Sequence, residues 1–306
     1  MKLLGLCFLI YDKINHEELW YNWIKNVDQN KYRIYIHHKY NDKLKYFDNY
    51  KLRNCIRTKY EDISLVKAQN LLLKECVKDN CTHCIFLSGA CIPLKIFDYI
   101  YNFLDSRYSY FNKADDKECF PICNESLHHL KMYEIKKASQ WSIINNKHAS
   151  ILVNSDDYLK WFDYPKQVPD EHCYITKLIK SKLYSEIKTT PHLPTEATTF
   201  TNWNGMNYKF QNKNNPHNGL KNYEFILSQE LDYLLEEPCL FGRKFNKGCY
   251  VLKIEYIGMI DGEPQFKREK IDLLEYLLNK FRKEQTETNF YLSFLESTNA
   301  SNVKIS

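Results

Sequence analysis

Short apolar runs alternate with stretches of helical spacing through the N-terminal third of the chain, and this alternation limits the folds open to it. Leu3–Ile10, Arg33–His37 and Cys84–Leu87 read as buried strands. His16–Asn26, Ser64–Val77 and Ile96–Leu104 read as helices; in the second, Leu65, Ala68, Leu71, Leu72 and Cys76 fall on one side. Strands separated by helices predict a largely parallel, helix-covered sheet, an α/β fold. Ligands in such sheets bind outside the carboxyl ends of the strands. That rule places Tyr11, Asp12, His37, His38 and Ser88 on the functional edge.

The remaining segments are less regular. Ser106–Glu134 is polar and aromatic and reads as a loop that shapes a pocket. Ser142–Val153 is helix-like, and Pro169 opens a helical pattern through Tyr174, Ile175, Leu178 and Ile179 that runs to Leu183. Ile187–Thr190 reads as a short strand, Thr198–Trp203 as an exposed strand, Gln211–Gly219 as a mobile loop and Tyr223–Glu236 as a helix. Tyr250–Ile260 and Pro264–Phe266 predict a hairpin turning at Asp261-Gly262, with an amphipathic helix over Ile271–Phe281 and a frayed tail from Ser297. The simplest organisation is a core over residues 1–249, with the hairpin and helix of residues 250–306 packed on it.

Composition narrows the partners. A net charge of +5 admits an anionic ligand without demanding nucleic acid. A nucleic-acid binder would show a basic stripe or a recognised motif, and neither occurs, so no nucleic-acid partner is expected. The first ten residues are apolar but lack a cleavage site, and no run is long enough to span a membrane. The eleven cysteines are an odd number, and Cys7, Cys84 and Cys91 lie in apolar runs, which fits free thiols in a reducing, cytoplasmic setting. A zinc site from Cys81, Cys84, Cys119 and Cys123 would need irregular spacing, and no metal is expected.

Two features carry possible chemistry. Glu171 follows Pro169-Asp170 at the start of a helix, where a carboxylate also reads simply as an N-terminal helix charge. Arg243-Lys244 sits inside the apolar segment Leu240–Phe245 and reads either as a held cation pair or as a surface basic pair. After the Cys84–Leu87 strand, Ser88-Gly89-Ala90-Cys91-Ile92-Pro93-Leu94 carries no acid to hold a divalent cation. Asp115-Asp116 and Asp156-Asp157 look like solvated surface. A bound diphosphate would then need Arg or Lys to neutralise it. Trp141 and Trp203 read as core lids or as sugar platforms.

Five segments, in order, carry a resemblance. Cys84–Leu94 with Phe97, Ile100 and Tyr101, Ser139-Gln140-Trp141, Pro169-Asp170-Glu171-His172, Thr201–Gly205 and Leu240–Phe245 resemble the motifs of the core-2/I-branching glycosyltransferases, especially their plant relatives. The resemblance implies a variant of the nucleotide-sugar transferase (GT-A-like) fold. It implies inverting transfer from a UDP-sugar, UDP-GlcNAc or UDP-xylose, to a glycan or glycoprotein hydroxyl, with no metal and no cofactor besides the donor. Glu171 is then the general base, and Asp170 its orienting neighbour, a helix cap or the base itself. Lys244 and Arg243 contact the diphosphate, with Lys221 at a position where the family has Arg. Tyr11, His37, Ser88 and Trp141 line the donor side and Trp203 the acceptor side. His37-His38-Lys39-Tyr40 lacks the acid that the family often carries after its second strand. The lack of an anchor and the odd cysteine count fit a free cytosolic form, as in a virus or microbe with an AT-rich genome. The alternative is an inactive member that binds glycans or nucleotides.

Overall fold

The computed structural model describes residues 1–115, 124–164, 167–189, 194–203, 208–210, 219–261 and 263–286. Along the chain these form β1 (Leu4–Ile10), α1 (Glu17–Ile24), β2 (Tyr32–His38), α2 (Ile63–Lys78), β3 (His83–Ser88), β4 (Ile92–Pro93) and α3 (Phe97–Phe103). Then follow β5 (Ser109–Phe111), α4 (Asn124–Leu127), β6 (Ile143–Asn145), α5 (Asn146–Val153), α6 (Pro169–Lys180), β7 (Ile187–Thr189) and β8 (Thr199–Thr201). The C-terminal part holds β9 (Tyr223–Leu227), α7 (Ser228–Glu236), β10 (Phe241–Arg243), β11 (Phe245–Ile260), β12 (Glu263–Asp272) and α8 over 273–286.

The central sheet has the order β2-β1-β3-β6-β5-β7. β1 runs parallel to β2 and β3, β7 parallel to β5, and β6 alone runs against its neighbours. The architecture is therefore mixed α/β with a mostly parallel sheet, as the GT-A-like resemblance implies. Period-two alternation explains how the sheet is covered. Leu4, Leu6, Phe8 and Ile10 of β1 face a core shared with Trp20 and Trp23 of α1 and with Phe200, Phe241 and Phe245. Cys7, with Cys84 and Phe86 of β3, faces the opposite core under α2, α5 and α6. The indole N–H groups of Trp20 and Trp23 donate to Cys91 O (3.0 Å) and Lys95 O (2.8 Å), so α1 also anchors the chain leaving β3.

Several segments differ from the reading above, each for a local reason. The run from Ser142 begins as strand β6, and the helix starts only at Asn146, where the Asn145 side chain accepts the His148 N–H at 2.8 Å. Ser106–Glu134 contributes β5 to the sheet rather than loop alone; three residues are too few to show periodicity. The Tyr223–Glu236 stretch is strand β9 followed by α7, because Tyr223 is drawn into the sheet with β11. β8 is buried rather than exposed, lying parallel beside β10. The hairpin β11–β12 turns at Asp261 as expected and is longer than predicted. α8 packs Leu273, Leu277 and Phe281 into the first core. Gln211–Asn218, Asp116–Cys123 and the tail from Ser297 lie outside the described residues.

One close approach depends on a missing side chain. Gly89 O accepts the Asn15 N–H at 2.7 Å, and a Cβ on Gly89 would lie 2.2 Å from the Lys13 carbonyl oxygen. Backbone cannot yield as a flexible side chain can. Gly89→Ala should cost about 2 kcal/mol and lower the melting temperature by roughly 4–8 °C. An unchanged unfolding curve would show that β1 and the β3–β4 turn do not meet this closely in solution.

Candidate active site

The loop leaving β3 sets the position of the basic pair. Ala90 O accepts the Phe245 N–H (2.9 Å), and Asn15 Nδ2 donates to Phe245 O (2.8 Å). β10 is meanwhile clamped between β4 and β8. These bonds hold Arg243 and Lys244 against the carboxyl edge of β1 and β3, and Lys244 O accepts the Tyr223 N–H at 2.8 Å. Both side chains are half-buried. The Arg243 guanidinium lies over the Trp141 ring, 4.7 Å from its centroid, and its Nε is shut from solvent with no hydrogen-bond partner. Burial, and then the charge of Arg243, lower the Lys244 pKa. Among the described residues neither cation forms an ion pair. Two adjacent cations drawn partly out of water, in no direct ion pair among the described residues, suit an anion.

The acids approach from α6. Val168 stands before the helix in the left-handed region (φ 44°), a conformation that costs a β-branched residue on the order of 1–3 kcal/mol. Pro169 at the first helical turn follows it, and Val168 O accepts the Glu171 N–H at 3.0 Å. The chain before Trp141 runs beside this turn: Ala138 N–H donates to Glu171 O (2.8 Å), and Lys136 N–H donates to Thr176 Oγ1 (3.0 Å). This alignment sets Lys137 Nζ 3.3 Å from Glu171 Oε2, both side chains about 30% exposed. It also lets Gln140 Nε2 donate to Asp170 Oδ2. The other oxygen of Asp170, Oδ1, is buried without a partner. Burial, and next the charge of Glu171, push the Asp170 carboxyl up to about 7. The Arg243 guanidinium feels the charges of both Glu171 and Asp170. One cluster therefore joins Trp141, Asp170, Glu171 and Arg243, with Lys244 next to Arg243 in the chain.

The other expected residues divide. Tyr11 lies on the same sheet edge, 59% exposed, edge-on to Tyr40 (4.9 Å) and beneath Lys39 Nζ (4.8 Å). Ser88 is buried, its hydroxyl 3.1 Å from Cys91 Sγ and accepting the Ala90 N–H. His37 is fully buried, and its Nε2 accepts the Ile56 N–H at 3.0 Å. Burial pushes His37 down to about 4, so the ring is neutral and supports a loop. Lys221 lies 3.4 Å from Glu230, which is 2% exposed, and stacks on Tyr223 (4.4 Å). Its charge already balances a buried carboxylate. His172 is buried, its Nδ1 3.1 Å from Val168 O, and burial pushes it down to about 4. Trp203 is 37% exposed beside the bridge it forms with Leu220. Lys137 and Gln140, the latter within the Ser139-Gln140-Trp141 motif, contribute to the cluster although the sequence assigns neither a role. Their role depends on the alignment of the Lys136–Ala138 backbone with α6, which no spacing rule displays.

The buried acid makes a pH prediction. Asp170 keeps its proton up to about 7 in the folded chain, against an ordinary value of 3.8 when unfolded. Between those values the folded state holds more protons, so stability falls as pH rises from about 4 to about 7. Asp170→Asn removes this loss. Its gain over the parent should be near zero at pH 4 and reach the order of 2–4 kcal/mol at pH 8, read by denaturant unfolding. A gain equal at both pH values contradicts it.

With this geometry in view, comparison with known proteins gives two findings. A family model described as Core-2/I-Branching enzyme matches residues 6–234. The chain is also similar to Glycosyltransferase BC10 of Oryza sativa subsp. japonica, 20% identical over 212 residues that cover 62% of this chain and 53% of the relative. It thus spans about half the length of that curated relative. The family match runs from β1 to α7 and takes in Trp141, Asp170 and Glu171, while Arg243-Lys244 and the hairpin lie beyond its end. With most of the chain matched, the protein belongs to the core-2/I-branching enzyme family.

Proposed function

We propose that the protein is an inverting glycosyltransferase that moves a sugar from a UDP-sugar to a hydroxyl of a glycan or glycoprotein without a divalent cation. The observation that carries this reading is the meeting, at Trp141, of the part-exposed Glu171 carboxylate with Arg243, a cation in no ion pair among the described residues and followed directly by Lys244. Family membership and a relative named as a glycosyltransferase support the reaction class.

In this reaction the acceptor oxygen attacks the sugar C1 in line with the departing UDP oxygen. Glu171 takes the hydroxyl proton as the new C–O bond forms, and UDP leaves with the electron pair of the bond that breaks. Charge grows on the diphosphate as the oxocarbenium-like transition state develops. Arg243 and Lys244 are placed beforehand to meet that charge, with no reorganisation at the moment of transfer. A pKa near 7 would suit Asp170 to base catalysis, but geometry comes first. Its Oδ1 is closed to solvent and its Oδ2 is held by Gln140, whereas Glu171 is open to an incoming hydroxyl. Asp170 is therefore the orienting neighbour. Tyr11 offers a ring to the donor and Trp203 one to the acceptor; Trp141, expected on the donor side, is 6% exposed and instead backs the Arg243 guanidinium, while Lys221 acts through the buried Glu230. GlcNAc and xylose are the donor sugars proposed.

Glu171→Gln should lower transfer by about 10²–10⁴-fold, while UDP affinity measured by calorimetry stays within about twofold. Retained transfer in that variant would remove Glu171 from the reaction. Lys244→Met should weaken UDP binding by roughly tenfold, the loss of about 1.4 kcal/mol from one charged contact. Chelation by EDTA should leave the rate of the parent enzyme unchanged, and a lost rate restored by added divalent cation would overturn metal independence.

A further inference from the structure

Four cysteines, three from consecutive elements and one from β1, meet in the core beneath α2. Cys7 comes from β1, Cys76 from the last turns of α2, Cys81 from the α2–β3 turn and Cys84 from β3. All are free thiols and all are fully buried. The Sγ atoms of Cys7 and Cys76 are 3.2 Å apart, and Cys81 Sγ lies 3.5 Å from the Tyr35 hydroxyl. The strand makes room for this cluster at Gly5, where a Cβ would lie 2.4 Å from Cys76 Sγ and 3.4 Å from Cys81 Sγ. Burial pushes the Cys7 and Cys76 thiols well above their ordinary range, so both are neutral at pH 7. Among the described residues no group of three or more Cys, His, Asp or Glu side chains is arranged to hold a metal ion.

We propose that Cys7 and Cys76 are a redox-responsive pair that closes to a disulfide in an oxidising environment and locks α2 to β1. The two sulfurs have to approach by about 1 Å to reach bonding distance, and Gly5 leaves the space beside Cys76 Sγ open. The oxidant is a low-molecular-weight disulfide such as oxidised glutathione. One cysteine sulfur displaces a glutathione thiol to give a mixed disulfide; the other attacks the protein sulfur and releases the second glutathione. The two thiol protons end on the two glutathione molecules, and the protein loses two hydrogens. Because the pair is buried and protonated, exchange waits on opening of the α2 C-terminal turn and is slow. The bond closes a long loop between β1 and α2, which constrains the unfolded chain and raises stability.

The test uses the full chain in oxidised and in reduced glutathione buffers, with alkylation, peptide mapping and thermal unfolding. The expected result is a Cys7–Cys76 linkage and a melting temperature raised by roughly 5 °C or more, reversed by dithiothreitol. Cys7→Ala and Cys76→Ala should each abolish the linkage, and Cys81→Ala should retain it. A linkage confined to other cysteines, no linkage after prolonged exposure, or stoichiometric bound zinc that blocks oxidation would each overturn the inference.

Discussion

The site depends on two positive charges kept partly out of water, neither in an ion pair among the described residues. Arg243 and Lys244 follow one another at the end of a clamped strand, and a surface pair would have found counter-ions or full hydration. Here β4 and β8 flank β10, Ala90 holds Phe245, and the Trp141 ring lies against the guanidinium. That desolvation costs the unliganded protein stability, and an anion offsets the cost. The same packing that penalises the free cations is what would favour the proposed diphosphate there.

The scaffold delivers the opposing acid by a separate route. The parallel register of β1, β2 and β3 brings the ends Ile10, His38 and Ser88 to one edge. α6 enters that edge through a strained Val168 and a proline, so its first turn presents Asp170 and Glu171 together. Their environments then separate them. Asp170 is drawn inward to Gln140 and held largely protonated up to about 7, and Glu171 stays outward against Lys137. Two adjacent carboxyls thus sit in different environments, one buried and the other open, and the proposed roles follow from that difference.

Much of this was legible in sequence, and the divide follows range. The buried strands and amphipathic helices of the N-terminal third carry their own periodicity, so β1, β2, β3, α1 and α2 were read within a residue or two of their bounds. Short strands such as β5 and β6 carry none, and their pairing is decided by distant neighbours. Glu171, Trp141 and the Arg243-Lys244 pair stand out through ordered motifs; the structure sets Arg243 over Trp141 within reach of the charge of Glu171, and their roles rest on the proposal above. The place of Lys221 against Glu230, the burial of His37 and the part played by Lys137 and Gln140 arise from tertiary contacts. No local pattern encodes those contacts.

The central claim is a shared cleft with an acid on one side and a cation pair on the other. A crystal structure of the protein with UDP tests it most directly. The account predicts diphosphate oxygens within hydrogen-bonding distance of Lys244 Nζ and the Arg243 guanidinium, with the Glu171 carboxylate facing the space beyond the terminal phosphate. A diphosphate bound elsewhere, or one held here with Glu171 turned to a different surface, would contradict it.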